Sequence, residues 1–341
     1  MTRQMIRTPQ ALGRIRELVQ PALELAVDRL ADPQMRLIAR YQMGWCDVDG
    51  RSTEAGGGKA IRPTLAVLSA EAVMGTPDSG IPGAVAVELV HNFSLLHDDV
   101  MDRDVERRHR PTGWVAFGEG QAILAGNAML TLAIDVLAEW GLPGRRSLPC
   151  LLEATQLLIS GQSQDLQLER RNAVELHEVL AMEAGKTAAL LSCASSIGAL
   201  AAGAPEHMVA RLAAFGHELG LAFQLVDDIL GVVGDPARTG KSSSSDVRAG
   251  KRSAPIVAAL SADSAAAAQL AELFAAGAPA TEADVALATQ LISDAGGLDW
   301  AAREADARIA AALAHLDALE LLPGPAAELA AVATYIVNRD R

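Results

Sequence analysis

The spacing of apolar residues is the feature that most limits the folds open to this chain. Apolar side chains recur three and four residues apart through most segments, as at Leu12, Ile15, Leu18 and Val19 and again from Leu151 onward. In an amphipathic helix such positions share one face. Strictly alternating patterns, which would indicate strands, are nearly absent. The sequence therefore predicts an all-α fold.

The breaks in this helical pattern do not divide the chain into separate domains. They fall at residues 47–58, 76–83, 141–146 and 277–281, where Gly, Pro, Asp and Ser cluster as turns require. The length of 341 residues alone allows two domains. Because no long Pro- or Ser-rich linker or shift of composition separates two halves, we expect a single domain over residues 1–341.

Charge and targeting signals narrow the functional classes. The formal net charge of −13 argues against nucleic acid or an anionic membrane as a partner. The N-terminus lacks the apolar block of a signal peptide. Residues 187–204, the longest weakly polar run, are interrupted by Ser and Gly and fall short of the roughly 20 apolar residues of a span. We expect a buried helix there, no membrane span, and a cytoplasmic protein whose unpaired cysteines suit a reducing compartment.

An acidic cluster in residues 88–112, ELVHNFSLLHDDVMDRDVERRHRPT, carries the strongest chemical signal. Asp98 and Asp102 are four residues apart, so on a helix they lie one turn apart on the same face, with about 5 to 6 Å between their Cβ atoms. Such carboxylates repel each other unless cations bridge them. Magnesium prefers oxygen ligands and is usually bound by one or two carboxylates together with substrate phosphates. A solvated or capping helix end is the structural alternative, and it explains poorly the apolar residues 93–96 that precede the cluster.

Basic residues and a second acidic pair extend this signal. Arg107 and Arg108 suit bidentate phosphate contacts, although ion pairs within the same segment would also explain them. Asp227 and Asp228 end an apolar run, where burial without a metal or a base is costly. Together the two acidic clusters could form facing walls around a diphosphate and several metal ions. The polar stretch 234–255 that follows is either a solvated loop or a phosphate-binding lid, with basic residues Lys241, Arg248, Lys251 and Arg252.

The segment DDVMD at 98–102, with RR at 107 and 108, resembles the first aspartate-rich motif of the trans-isoprenyl diphosphate synthases, also called polyprenyl synthetases. Other segments, in chain order over about residues 56–255, are similar to further motifs of that family. They are GGGKAIRP at 56–63 (family GGKxxRP), GQSQDL at 161–166 (GQxxDL), GKT at 185–187 (the Lys-Thr site), FQLVDD at 223–228 (the second aspartate-rich motif), and GKSSSSD at 240–246 with GKR at 250–252 (the basic loop).

The resemblance implies a fold and a reaction. The fold would be one large helical bundle of the isoprenoid synthase type with a central active-site cavity, assembled as a homodimer. The enzyme would condense an allylic diphosphate with isopentenyl diphosphate and would use three magnesium ions. Metals and fixed cations would stabilise the charge on the departing pyrophosphate. Such a reaction needs no side-chain nucleophile, and no convincing Ser/His/Asp or Cys/His arrangement is present.

The resemblance also implies roles for individual residues. The metal ligands would be Asp98, Asp102 and Asp227, which would act in catalysis together with Lys186 and Lys241. The cradle of the allylic diphosphate would be formed by Arg107, Lys186, Thr187, Gln224, Lys241 and Lys251. The diphosphate of isopentenyl diphosphate would be bound by Lys59, Arg62, His91 and Arg108. His91 could equally be a core histidine, and a solvated base is the single-site alternative for Lys59, Arg62 and Lys186.

Two departures from common family patterns bear on the product and the metals. Gly231 stands where many members have a third aspartate, from which we expect weaker organisation around the third metal without loss of activity. Phe93 and Ser94 lie five and four residues before Asp98, at the expected floor of the cavity. An aromatic residue followed by a small one resembles the geranylgeranyl pattern more than the farnesyl one. We therefore expect geranylgeranyl diphosphate as the product.

Three other functions are compatible with parts of the pattern. One is a synthase of farnesyl or longer polyprenyl diphosphate. A class I terpene cyclase is disfavoured by the Lys59, Arg62, His91 and Arg108 set, because a cyclase has no second diphosphate to bind. A non-catalytic regulatory subunit is disfavoured because such subunits usually lose motif carboxylates, which this chain retains.

Overall fold

The structure is a computed structural model that describes residues 8–53, 58–74, 76–171, 173–234, 244–275 and 277–338. Helices dominate these residues, which confirms the all-α prediction. The strands among them form one antiparallel hairpin, in which each strand is two residues long: β1 (Glu106–Arg107) and β2 (Arg110–Pro111). The α-helices are α1 (Gln10–Asp28), α2 (Pro33–Gln42), α3 (Ile61–Met74), α4 (Ile81–Met101), α5 (Gly113–Phe117), α6 (Glu119–Glu139), α7 (Leu142–Leu168), α8 (Leu176–Glu183), α9 (Ala189–Ala202), α10 (Glu206–Val233), α11 (Ser245–Arg248), α12 (Ala254–Leu260), α13 (Ala265–Ala275), α14 (Glu282–Asp294), α15 (Gly297–Asp317) and α16 (Pro323–Asn338).

The helices group into two compact units. The first unit is built from described residues within 1–155, 190–216 and 315–335. The second unit is built from those within 156–189, 217–314 and 336–341. The single domain expected over residues 1–341 stays a prediction.

The first unit is organised by the close packing of α4 against its neighbours. Leu89 and Leu96 of α4 and Leu65 of α3 are fully buried. The backbone of α9 touches α3 at Gly198, where a Cβ atom would lie only 2.0 Å from the carbonyl oxygen of Ala66. Only glycine permits that approach. This packing fixes the helix whose C-terminal turn bears Asp98 and Asp102.

The second unit is organised around a short π-helix, Ala184–Ala188, between α8 and α9. Two neighbouring helices approach it through glycine. A Cβ atom on Gly161 of α7 would lie 2.2 Å from the backbone nitrogen of Lys186, and one on Gly220 of α10 would lie 2.4 Å from the Cα atom of Ala188. Single π-turns are rare and are frequent at functional sites. An apolar cluster completes the unit, with Val232, Val247, Ile256, Ala259, Leu270, Phe274, Val285, Ala288, Leu291 and Ile292.

The helix boundaries agree with the predicted breaks in part. The break at 277–281 ends at a capping box, in which the Thr281 hydroxyl accepts a hydrogen bond from the Asp284 backbone (3.1 Å) and α14 begins at the next residue. The break predicted over 141–146 is wrong beyond Gly141, because α7 already begins at Leu142. Proline at position 143 did not prevent this, since proline is tolerated in the first turn of a helix.

Two helices bear on the question of a membrane. The buried helix expected within 187–204 is confirmed as α9, most of whose residues are inaccessible to solvent. Among the described helices, α6 is long and apolar enough to cross a membrane by length and composition alone. A core helix of a soluble protein passes the same test when most of it is buried, and 39% of the apolar window of α6 is buried.

Candidate active site

The first carboxylate pair lies at the C-terminal end of α4. The backbone nitrogen of Asp102 donates to the carbonyl oxygen of Asp98 at 2.8 Å, so the helical turn continues through both residues. Both side chains are partly exposed. The structure therefore confirms that the two carboxylates are one helical turn apart.

The neighbouring Asp99 is buried and binds Arg107. The Arg107 Nε and Nη2 atoms lie 2.7 and 2.6 Å from Asp99 Oδ1, whereas the nearest oxygen of Asp104 is 3.7 Å away. Burial raises the pKa of Asp99, and the Arg107 guanidinium opposes that shift. Arg107 is thus oriented by a buried carboxylate one residue from the predicted metal ligand. Its contact with the allylic diphosphate stays a prediction.

The hairpin of β1 and β2 presents Arg108. Arg108 and His109 form its turn with φ angles of 53° and 59°, the left-handed pair that a two-residue hairpin of this type requires. The strand beyond the turn is anchored where Tyr41 donates to the carbonyl oxygen of Pro111 at 2.6 Å. The Arg110 guanidinium lies over the Tyr41 ring, 4.1 Å from its centroid. These contacts fix the backbone that carries Arg108.

The segment that resembles GGKxxRP lies against Arg108. A Cβ atom on Gly58 would be 2.8 Å from Arg108 Nη2, so the guanidinium group of Arg108 lies against the Gly58 backbone. Arg16 of α1 donates to the carbonyl oxygen of Gly58 at 2.7 Å. Lys59, the next residue, is exposed. The structure thus places Lys59 next in the chain to a contact of Arg108.

His91 joins this group in its neutral form. Its Nε2 atom is 3.4 Å from Arg62 Nη1. Burial lowers the pKa of His91 well below its usual value, and the charges of Arg62 and Arg108 lower it further. His91 can therefore offer a phosphate a hydrogen bond but not a positive charge.

Glu88, which the sequence analysis did not single out, is the acidic member of the same group. Burial raises its pKa, against the opposing charge of Arg62. Its Oε1 atom accepts a hydrogen bond from Asn92 Nδ2 at 3.1 Å. A signal was available, because Glu88 is an isolated acid in an apolar stretch, three residues before His91.

In the second unit, two of the segments that resemble family motifs contact each other. Lys186 of the π-helix forms a salt bridge with Asp165 Oδ2, which belongs to the GQSQDL segment of α7. Both side chains are largely buried. The pair orients the Lys186 ammonium group, and Asp165 is a further residue that the sequence analysis left unassigned.

Thr187, Gln224 and Asp228 form a hydrogen-bonded chain. The Thr187 hydroxyl donates to Gln224 Oε1 at 2.8 Å, and Gln224 Nε2 donates to Asp228 Oδ1 at 2.8 Å. The other oxygen of Asp228 accepts from the backbone of Ala254 at 2.9 Å. Burial raises the pKa of Asp228 to about 6. Asp228 therefore links the π-helix, α10 and the start of α12 through hydrogen bonds. Asp227 is partly exposed and is better placed to bind a metal ion.

Glu183, like Glu88 and Asp165, is a functional candidate that the sequence analysis missed. It is 2% exposed and lies beside the buried carboxyl group of Asp228. Burial raises its pKa well above the usual value, and the nearby carboxylates of Asp228 and Asp165 add to the shift. These effects favour the protonated form of Glu183, which lies three residues before Lys186.

Asp246 occupies the space that a side chain at position 231 would need. A Cβ atom on Gly231 would lie 2.3 Å from Asp246 Oδ2. The backbone carbonyl of Asp246 also accepts a hydrogen bond from the Lys251 backbone at 2.9 Å. The chain thus lacks the third aspartate of the motif but brings another carboxylate to that position.

The remaining predicted residues divide into two groups. Lys241 lies outside the described residues. Phe93 and Ser94 are both buried on α4. The Phe93 ring packs edge-on against His97, with 4.9 Å between ring centroids, and the Ser94 hydroxyl donates to the His91 carbonyl at 2.8 Å.

The donors present suit magnesium. Among the described residues, no three His, Cys, Asp or Glu side chains converge closely enough to hold a metal ion by themselves. A site of one or two carboxylates is the arrangement in which Mg²⁺ keeps its waters and takes further oxygens from a substrate phosphate. The pair Asp98 and Asp102, partly exposed and one turn apart, fits that description.

Comparisons with known proteins give the same family that the residues of the site resemble. The family model described as polyprenyl synthetase matches residues 51–292. A (2E,6E)-farnesyl diphosphate synthase of Mycobacterium tuberculosis is 45% identical over 98% of this chain and 94% of its own length. A geranylgeranyl diphosphate synthase of the same species is 45% identical over 89% and 87%.

Structural similarity extends over nearly the whole chain. The crystal structure of a polyprenyl synthetase from Streptomyces coelicolor is 48% identical, with a TM-score of 0.92 over 97% of this chain and all of that one. Enzymes of this kind use divalent metal ions and take isopentenyl and allylic diphosphates as substrates. The chain belongs to the polyprenyl synthetase family of trans-isoprenyl diphosphate synthases and is a prenyltransferase.

Proposed function

We propose that this prenyltransferase adds isopentenyl diphosphate to an allylic diphosphate with the help of three magnesium ions and releases geranylgeranyl diphosphate. The observation that carries the proposal is the turn of α4 that bears Asp98 and Asp102, with small Ser94 one turn below Asp98 and Phe93 beside it.

Asp98, Asp102 and Asp227 would hold the magnesium ions. Bound there, magnesium would stabilise the charge that develops on the departing pyrophosphate. Lys186, oriented by Asp165, and Arg107, oriented by Asp99, add fixed positive charge. Groups held in place before the reaction stabilise developing charge without a cost of reorganisation.

The second diphosphate has its own group of residues in the first unit. Lys59, Arg62 and Arg108 supply charge, and neutral His91 supplies a hydrogen bond. Glu88 reduces the electrostatic repulsion among the arginines, which allows their guanidinium groups to lie close together. A class I cyclase, which takes one diphosphate, has no use for this group.

The product follows from the residues beneath Asp98. Ser94 precedes Asp98 by four residues and shares its face of α4, so a small side chain leaves room there for the growing prenyl chain. Phe93 lies about 100° further round the helix and limits elongation from the side. The relatives named as farnesyl and geranylgeranyl synthases are both 45% identical, and the farnesyl synthase covers more of this chain, so farnesyl diphosphate is the alternative product.

Assembly and location belong to the same proposal. We place the enzyme in the cytoplasm as a homodimer. The side chains of Ile123 and Leu124 on α6 are 40% and 55% exposed, which supports a partner surface there.

The proposal is tested by incubating the pure protein with magnesium, isopentenyl diphosphate and each of dimethylallyl, geranyl and farnesyl diphosphate. Mass spectrometry of the products should show geranylgeranyl diphosphate as the longest major species. Accumulation of farnesyl diphosphate alone would establish the alternative. Pyrophosphate release without consumption of isopentenyl diphosphate would indicate a cyclase.

Replacing Phe93 with alanine should lengthen the main product by at least one isoprene unit, because the lost ring opens space beside the growing chain. Mass spectrometry of the product mixture measures the change. Phe274→Ala is the matched control, since Phe274 is similarly buried but lies in the apolar cluster of the second unit. An unchanged distribution in the folded Phe93→Ala protein would defeat the floor assignment.

Installing the missing aspartate, Gly231→Asp, should weaken the enzyme. The new side chain would displace the Asp246 carboxylate, 2.3 Å from the new Cβ atom, and add a like charge beside it. We expect the magnesium concentration for half-maximal activity to rise about tenfold, equivalent to ~1.4 kcal/mol. Gly13→Asp, at an open position of α1, is the control. Tighter magnesium binding by Gly231→Asp would show that Asp246 does not fill the role of the missing residue.

A further inference from the structure

A contact between α6 and α4 leaves no room for a side chain at position 126. A Cβ atom on Gly126 would lie 2.4 Å from Nε2 and 2.5 Å from Cδ2 of His97. These distances are well below van der Waals contact between such atoms. The His97 ring therefore occupies the space directly above the Gly126 backbone.

The His97 ring is fixed on two other sides. Its Nε2 atom is 3.0 Å from the carbonyl oxygen of Ile123, so that nitrogen carries the proton. It packs against the Phe93 ring in a T-shaped arrangement, with centroids 4.9 Å apart and planes at 73°. Aromatic pairs of this geometry are attractive beyond their buried area. Phe93 is 5% exposed, so a displacement of His97 toward Phe93 would have to move a buried ring.

We propose that Gly126 determines product length by seating the His97 ring, which in turn holds Phe93 at the floor of the prenyl cavity. Gly126 and His97 act as positioning residues and touch neither diphosphate. The inference rests on the proposed function of Phe93 and extends it to α6. A methyl group at position 126 would push His97 off α6 and press Phe93 toward the growing chain.

The variant Gly126→Ala should therefore make shorter products. We expect the ratio of farnesyl to geranylgeranyl diphosphate to rise at least about fivefold, a change of ~1 kcal/mol in the competition between release and further elongation. Gly120→Ala is the matched control, because Gly120 lies on the same helix with no atom within 4 Å of its added Cβ. General loss of stability would lower the rate without moving the ratio. An unchanged or longer product from folded Gly126→Ala would overturn the proposal.

A second pair of variants keeps the test decisive if Gly126→Ala does not fold. In a His97→Ala background the ring that the methyl group strikes is gone. Adding Gly126→Ala to that background should leave the product ratio unchanged, because contacting residues couple and the coupling is lost with the ring. A further shift of the ratio in the double variant would show that Gly126 acts by another route.

The outcomes separate this inference from the proposed function. If the wild-type protein does not condense the two diphosphates, the proposed function fails. If it does and Phe93→Ala leaves the product unchanged, the floor assignment fails. If Phe93→Ala lengthens the product while Gly126→Ala has no effect, only the role of Gly126 is wrong.

Discussion

Replacing Asp98 with asparagine should lower kcat about a thousandfold, a loss of ~4 kcal/mol in transition-state stabilisation. The substitution keeps the shape of the side chain but removes the charge that would bind magnesium. A metal ion at such a site contributes several kcal/mol by stabilising charge on phosphate oxygens. Steady-state rates measured over a range of magnesium concentrations would record the change.

The control for this variant is Asp135→Asn, which removes the same charge from an exposed position on α6. It should retain nearly full activity. Circular dichroism should show both variants folded, because Asp98 is partly exposed at the end of α4. Activity of Asp98→Asn within a few-fold of wild type would mean that this turn does not bind the catalytic metal.

The largest expected effect on stability comes from Glu183→Gln. The folded protein raises the pKa of Glu183 well above its usual value because the carboxyl group is buried. Above about pH 4.3, the usual pKa of glutamate, the unfolded chain loses this proton while the folded chain keeps it. Wild-type stability from this group is therefore present at low pH and is lost as pH rises, by up to ~1.4 kcal/mol per pH unit.

Glutamine cannot ionise, so the variant escapes this loss. The two proteins should have similar free energies of unfolding near pH 4.5, and the variant should become progressively more stable by comparison toward pH 8. Urea unfolding at several pH values measures the difference. Glu272→Gln, which removes an exposed carboxyl group from α13, should give a constant difference from wild type. A constant difference for Glu183→Gln as well would show that Glu183 is ionised in the folded state.

The parts of the site that depend on neighbours in one helix could be predicted from the sequence. The four-residue spacing of Asp98 and Asp102 fixes their geometry once a helix forms, because backbone periodicity alone sets it. The pairing of Arg107 with Asp99 could not be predicted this way. It requires the chain to turn back after α4, where Arg103 adopts a positive φ of 58°, so that β1 brings Arg107 onto Asp99.

In the second unit, too, features set by packing between helices could not be predicted from the sequence. The π-helix that carries Lys186 and Thr187 depends on close approaches by Gly161 and Gly220 from other helices, and tertiary packing of this kind leaves no local pattern. The sequence does, however, contain a signal for Glu183. A carboxylate that is buried without a partner is costly, and this holds for an acid inside an apolar helix as it does for Asp227.

The strained turn at Arg108 has a thermodynamic consequence for substrate capture. A residue other than glycine in the left-handed region costs of order 1 kcal/mol, and that cost is met during folding, when Tyr41 and Arg110 fasten the hairpin. The backbone under the guanidinium is therefore already ordered before any ligand arrives. Less freedom is lost on association, so more of the attraction between arginine and phosphate is expressed as affinity.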